Sequence, residues 1–133
     1  EYPAYSAVVF SEVSGKLKES KEDGYMSVEE TALLNLQSEI VVLSACETGL
    51  GRMVRGDGVI GLTRAFQVAG SNRVLVTLWQ VSDEATEAFM VSFYAKVRAG
   101  MSYSAALVKV RDEFRKSEKY SAPYYWAGFV LYE

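Results

Sequence analysis

Histidine is absent from all 133 residues. It is the one side chain whose unperturbed pKa lies near neutrality, and it is both the usual general base and the commonest metal ligand. A nucleophile in this sequence therefore lacks its ordinary activator, and neither a metal site nor a cofactor is expected. Cysteine occurs once, at Cys46. A single cysteine excludes an internal disulfide and fits a reducing compartment. An excess of positive charge is also lacking: 14 basic residues stand against 17 acidic ones, for a net charge of −3. The lysines and arginines are scattered among acidic neighbours, so nothing tracks a phosphate backbone and nucleic acid is not an expected partner. No apolar run approaches the roughly 20 residues of a membrane span, and no charged-then-apolar leader opens the chain. No membrane partner is expected, and the composition reads as that of a soluble, cytoplasmic protein. Repeats and low-complexity tracts are absent. What remains, half hydrophobic and 23% charged, is an ordinary globular balance, enough for one domain over residues 1–133 with a core of its own.

The informative stretch is Ile40 to Gly58, IVVLSACETGLGRMVRGDG. Its apolar, β-branched beginning reads as a strand buried on both faces. That run stops at Cys46, and glycines follow at 49, 51, 56 and 58. In open parallel α/β sheets the carboxyl edge of the strands is where ligands and chemistry collect, because the loops leaving it frame a crevice.

Around this stretch the chain alternates. Tyr5 to Ser11 suits a strand, and Glu12 to Asp23 is a polar link. Ser27 precedes Glu30 by three residues, a capping-box spacing that starts a helix running to about Leu36. Ile40 to Ala45 is the expected central strand. Beyond the glycine loop, Val59, Leu62, Phe66 and Ala69 recur at helical spacing, with Gly61 and Ala65 keeping a neighbouring surface small. Gly70 ends that helix. Arg73 to Trp79 is a second buried strand, joined to the first by a parallel, right-handed crossover. Ser82 or Asp83 caps the next helix, which carries Ala85, Phe89, Phe93 and Val97 on one stripe and stops at Gly100. Ser102 caps another, with Tyr103, Leu107, Val110 and Phe114 inward and Lys109, Asp112, Arg115 and Lys116 in water. Pro123 breaks the chain before a last strand, Tyr125 to Tyr132. The alternation predicts an α/β domain with a mainly parallel sheet and helices on both faces.

Two clusters in this frame have chemical meaning. Cys46, where the buried run stops, is either a small buried hydrophobe or a nucleophile presented at the crevice. The glycines beside it let the backbone turn sharply and approach a ligand closely. They do not make a phosphate cradle: Gly51 and Gly56 have the P-loop spacing, but Asp57 and Gly58 stand where lysine and a hydroxyl belong. Trp79 and Asp83 form the second cluster, just after the second strand. An aromatic wall with a carboxylate beside it holds a basic side chain by stacking and ion pairing; alternatively, Asp83 only caps its helix. Glu47 and Asp57, in the glycine loop, join Trp79 and Asp83 as candidate substrate-binding residues; Arg52 and Arg55 read as solvated loop charges, alternatively as docking a substrate carboxylate or folding back on Glu47 or Asp57.

With LSACETG at 43–49, GDGVIGLTRAF at 56–66, TLWQVSDEAT at 77–86 and PYYWAGFVLY at 123–132, the chain resembles the CHAT family from about Gly24 to its end. These are caspase-like domains, mostly bacterial and often joined to tetratricopeptide repeats. Their parent group of cysteine peptidases includes separase, whose corresponding segment is similar to Trp79–Asp83. The resemblance implies a caspase-like α/β three-layer sandwich and Cys46 as the catalytic nucleophile acting on a protein or peptide substrate. It also implies that Asp83 lies in the pocket for the residue before the cut bond, favouring a basic side chain there.

The family's histidine belongs to a His-Gly pair ahead of the segment resembling Tyr5 to Ser11, and this chain has none. The expectation is therefore the C-terminal portion of such a domain, its partners being the rest of that domain and neighbouring repeats, with a sheet edge left open. In the complete domain the histidine takes the Cys46 proton, the thiolate attacks a peptide carbonyl, and water releases the acyl-enzyme. A free thiol titrates at about 8.5 and is mostly protonated at neutral pH, so the 133 residues alone are expected to be a poor peptidase. The other class the sequence leaves open is a non-catalytic interaction module that has kept the fold.

Overall fold

The computed structural model describes residues 7–9, 25–44 and 57–133. In chain order the elements are β1 (Ala7–Val9), β2 (Tyr25–Ser27), α1 (Val28–Ala32), β3 (Val41–Leu43), α2 (Asp57–Val68), β4 (Val74–Thr77), α3 (Asp83–Arg98), α4 (Tyr103–Lys116), a 3-10 turn (Pro123–Tyr125) and β5 (Phe129–Tyr132). This is an α/β chain, and its described residues divide into two compact units.

The first unit holds β1, β2, α1, α2 and the residues that lead into β3 and β4, with Glu133. β1 and β2 pair antiparallel, Val8 opposite Met26; the strand at β2 was not legible in the sequence. Ser27 ends β2 and caps α1. Its hydroxyl accepts the Glu30 N–H at 3.2 Å while the Glu30 carboxylate accepts the Ser27 N–H at 2.8 Å, so two amide donors left over at the helix start are satisfied reciprocally. The helix stops at Ala32 rather than Leu36. Leu33 and Leu34 beyond it are exposed. The Leu36 N–H, which a longer helix would keep for itself, is given to the Ala69 carbonyl at 2.6 Å.

α2 packs on α1, and a Cβ at Gly61 would already stand 3.6 Å from a Val28 methyl. Thr63 is buried and returns its hydroxyl to the Val59 carbonyl at 2.7 Å. The leads into β3 and β4 run parallel, joined at Ser38 and Ser71 and by Val41 N–H to the Arg73 carbonyl at 2.9 Å. Arg73 there reaches Glu39 at 3.2 Å and Glu133 at 2.9 Å.

The second unit holds Leu75–Tyr132 with Val42 and Leu43. Among the described residues the sheet order is β3-β4-β5, which puts β4, and not the expected Ile40 to Ala45, at the centre. β4 is the inner strand, and all four of its residues are buried; Val42 of β3 is exposed. Side chains alternate between the two faces of a strand, so four consecutive buried residues mean that β4 is covered on both faces, as its continuous apolar run VLV suits. The residue after β4, Leu78, donates its N–H to Gly128, the residue before β5, at 2.9 Å. The carboxyl end of β4 thus meets the amino end of β5, the two run in opposite directions, and the sheet is mixed.

α3 and α4 pack together. Ser82 and Ser102 cap them, their hydroxyls accepting the Ala85 and Ala105 N–H groups. Ala85, Phe89 and Phe93 of α3 and Leu107, Val110 and Phe114 of α4 are buried as the spacing predicts. Phe89 is the hub: it stacks on Phe129 at 3.8 Å between ring centres and meets Phe114 edge-on at 5.1 Å. Such pairs add about 0.5–1.5 kcal/mol each beyond the area they bury. Arg111 of α4 donates to the Phe129 carbonyl, and its partial burial lowers its pKa.

Candidate functional site

Of the sequence-selected residues, Cys46 and Glu47 lie outside the described residues, and Asp57 is described only as the first residue of α2. Trp79 and Asp83 are described in full. They occupy the connection from the end of β4 at Thr77 to the start of α3 at Asp83.

This connection is held by residues far along the chain. The Trp79 indole donates its Nε1–H to the Tyr124 carbonyl at 2.8 Å. The Tyr124 hydroxyl donates to the Gln80 carbonyl at 2.6 Å, and Leu78 is bonded to Gly128. The result is a reciprocal clasp between 78–80 and the 3-10 turn with its continuation. Pro123 at the first position of that turn supplies a pre-set φ and no donor. Its carbonyl then accepts the Ala127 N–H at 2.8 Å and curls the chain so that Gly128 faces the ring. A Cβ at Gly128 would stand 2.8 Å from Trp79 Cε2 and 3.1 Å from two further ring atoms. The indole is therefore tied at its nitrogen, pressed against bare backbone, and still 37% exposed.

The charges nearby divide into used and unused. Ser82, not Asp83, provides the cap of α3, which settles the alternative left by the sequence. Glu84 is engaged by Lys119, whose ammonium hydrogen bond and charge hold the carboxyl below its ordinary pKa. Lys119 in turn lies 5.2 Å from the centre of the Tyr120 ring. Asp83 is exposed and makes no ion pair among the described residues. An exposed aromatic face and an unpaired carboxylate thus follow the inner strand within five residues of each other. Further along α3, Phe93 is core and Tyr94 is exposed. No cluster of metal-ligating side chains occurs among the described residues, and no described helix is long and apolar enough to cross a membrane.

Sequence reasoning missed Tyr124, Gly128 and Gln80. Gly128 could have been found, because an isolated glycine inside an otherwise strand-like run marks a close backbone approach. The partner it approaches is 49 positions away and has no local signature.

Across residues 1–133 the sequence matches the CHAT domain profile. The chain belongs to the CHAT domain family. Two curated relatives of this CHAT domain are tetratricopeptide repeat protein 28 of Mus musculus and of Homo sapiens, each 41% identical over 98 residues. The aligned part is 74% of this chain and 4% of either relative, so the chain spans a small fraction of the proteins it resembles. The family match begins at residue 1, earlier than the Gly24 from which the four motifs carried the resemblance. The clasp joins two of those motifs: Trp79 belongs to TLWQVSDEAT, and Tyr124 and Gly128 belong to PYYWAGFVLY.

Proposed function

We propose that this CHAT domain is the nucleophile-bearing part of a caspase-like cysteine endopeptidase, with Cys46 attacking the scissile carbonyl and a histidine contributed by chain outside these 133 residues. The observation that carries the reading is the family membership taken with the order of the strands. Cys46 follows the end of β3 by three positions, and the neighbouring strand β4 leads directly to Trp79 and Asp83. In open α/β sheets, ligands and chemistry collect where neighbouring strands end, which is why these two stretches of sequence are assigned to one site.

The pocket for the residue preceding the cut bond is assigned to Trp79 and Asp83. A guanidinium or ammonium stacks on the exposed indole and pairs with the Asp83 carboxylate, which no described cation occupies. A bare oxyanion needs backbone N–H donors, and the Cys46 amide is one; loss of such a donor typically lowers the rate about 10²–10³-fold. The domain works beside tetratricopeptide repeats, as the names of its relatives indicate for those proteins.

The test is covalent labelling of the full-length protein by peptide electrophiles that end in Arg, Lys, Leu or Asp. Labelling is expected to favour Arg and Lys and to vanish in Cys46→Ala, while the 133-residue chain alone turns over no peptide. Labelling that survives Cys46→Ala, or that prefers Asp, refutes the assignment. A second reading, a caspase-like interaction module without catalysis, is favoured by one observation: no histidine lies anywhere in the matched residues. Complete absence of Cys46-dependent labelling selects it.

A further inference from the structure

The Trp79 ring is exposed and yet held by Tyr124 and Gly128, and neither of these anchors is in the pocket. We infer that Gly128 and Tyr124 are positioning residues for Trp79, and that Gly128 determines specificity by leaving the space that the indole plane occupies. The effect on substrate selection rests on the peptidase reading above; the control of the ring does not.

Three observations carry the inference. First, the glycine is not there for its backbone. Gly70 and Gly100 have positive φ, of 109° and 93°, but Gly128 does not, so its conformation is open to any residue. What excludes a side chain is the ring, 2.8 Å from where a Cβ would stand, a separation that real Cβ atoms do not tolerate. Second, the ring is tethered. Its nitrogen is bonded to the Tyr124 carbonyl at 2.8 Å, and an indole is rigid, so a methyl at 128 either breaks that bond or turns the ring about its own torsions. Third, the two anchors are coupled. The Tyr124 hydroxyl ties the same turn to the Gln80 carbonyl, one residue past Trp79, so the carbonyl that holds the ring is referenced to the backbone that carries it. A hydrogen bond from a partly exposed indole contributes only about 1 kcal/mol of stability. What the clasp fixes is orientation, and orientation is what a stacking wall needs: a cation is attracted over a ring's face and not along its edge.

The test uses Gly128→Ala, with Tyr124→Phe as a gentler second variant that removes the Gln80 bond and keeps the carbonyl. In a Trp126→Phe background of the 133-residue chain, Trp79 is the only tryptophan. Acrylamide quenching and the emission maximum then report its exposure. Gly128→Ala is expected to raise the quenching constant, with Tyr124→Phe intermediate. When Trp79 is replaced by Leu, the unfolding cost of Gly128→Ala is expected to fall, because the clash is gone. Unchanged quenching in Gly128→Ala, or the same cost with and without the indole, overturns the inference. In the full-length protein, Gly128→Ala is expected to raise the inhibition constant of an Arg-terminated electrophile roughly tenfold, the size of one cation–π contact. The maximal inactivation rate at Cys46 is expected to be kept. A merely structural role lowers the labelled fraction instead and leaves the inhibition constant alone. If the wild-type protein is labelled by no peptide, the peptidase reading fails, while the quenching and double-variant results still decide who holds the ring.

Discussion

Two glycines in this chain occupy the same local motif in different surroundings, which separates a conformational penalty from a steric one. Gly70 follows α2 and Gly100 follows α3, and both helices close alike. Gly70 donates to the Gln67 carbonyl and Ser71 to Phe66; Gly100 donates to Val97 and Met101 to Lys96. Each pair is the double bond that satisfies the last carbonyls of a helix through a left-handed residue. Alanine at either position must adopt that left-handed conformation, at about 1–2 kcal/mol. At Gly100 nothing stands within 4 Å of the new Cβ, so Gly100→Ala should cost about 1 kcal/mol in total.

At Gly70 the Cβ would lie 2.1 Å from the Leu36 carbonyl oxygen and 3.2 Å from its carbon. That segment cannot retreat without losing the Leu36 to Ala69 hydrogen bond at 2.6 Å. Backbone shifts forced by overpacking add about 1–3 kcal/mol, which brings Gly70→Ala to about 3 kcal/mol. The difference of about 2 kcal/mol between the two variants is roughly 30-fold in an equilibrium constant. Urea unfolding of both variants followed by circular dichroism measures it. Equal costs would show that the contact between Gly70 and Leu36 does not govern the position.

Phe89→Ala is expected to cost about 3–5 kcal/mol in the same assay, because the ring is fully buried and serves both Phe129 and Phe114; a cost under about 1 kcal/mol would contradict its place as hub. Ser27→Ala is expected to lose about 1 kcal/mol and to speed exchange of the Glu30 amide, whereas Ser27→Gly loses only a few tenths, and the ordering of the two is the check. On α4, hydrogen bonds from Lys116 and Arg115 hold the Asp112 carboxyl well below its usual range, at about 2. A depressed carboxylate stabilises the fold above its unfolded pKa and loses that contribution as pH falls, here from about 4 through about 2. Asp112→Asn should flatten that part of an acid-unfolding curve, and an unchanged curve would count against the pairing.

Periodicity and capping residues alone were enough to read α2, α3 and α4. The reason is that a helix is a local object: hydrogen bonds four residues apart, a serine before it and a glycine after it all lie within one window of sequence. The same logic made Ser27, Ser102, Gly70 and Gly100 legible, and left Ser82 and Asp83 as alternatives, since both are good capping residues in adjacent positions. The short helix α1 was misjudged in length because the Leu36 amide is claimed by Ala69, a partner 33 positions away.

Strands are not local, and there the sequence ran short. A run such as IVVLSA cannot declare which strands flank it, so β3 passed for the inner strand until the order β3-β4-β5 gave that place to β4 among the described residues. Nor could it declare that β5 runs against β4, or that β2 exists as the partner of β1. For the candidate site, residue type alone marked Trp79 and Asp83, since an aromatic and a carboxylate after a buried strand carry their chemistry wherever the chain goes. That Trp79 is tied to Tyr124 and pressed on Gly128 was decided only by tertiary structure. The ring's orientation is a property of two segments meeting, and the free energy that fixes it depends on contacts between residues that no local pattern connects.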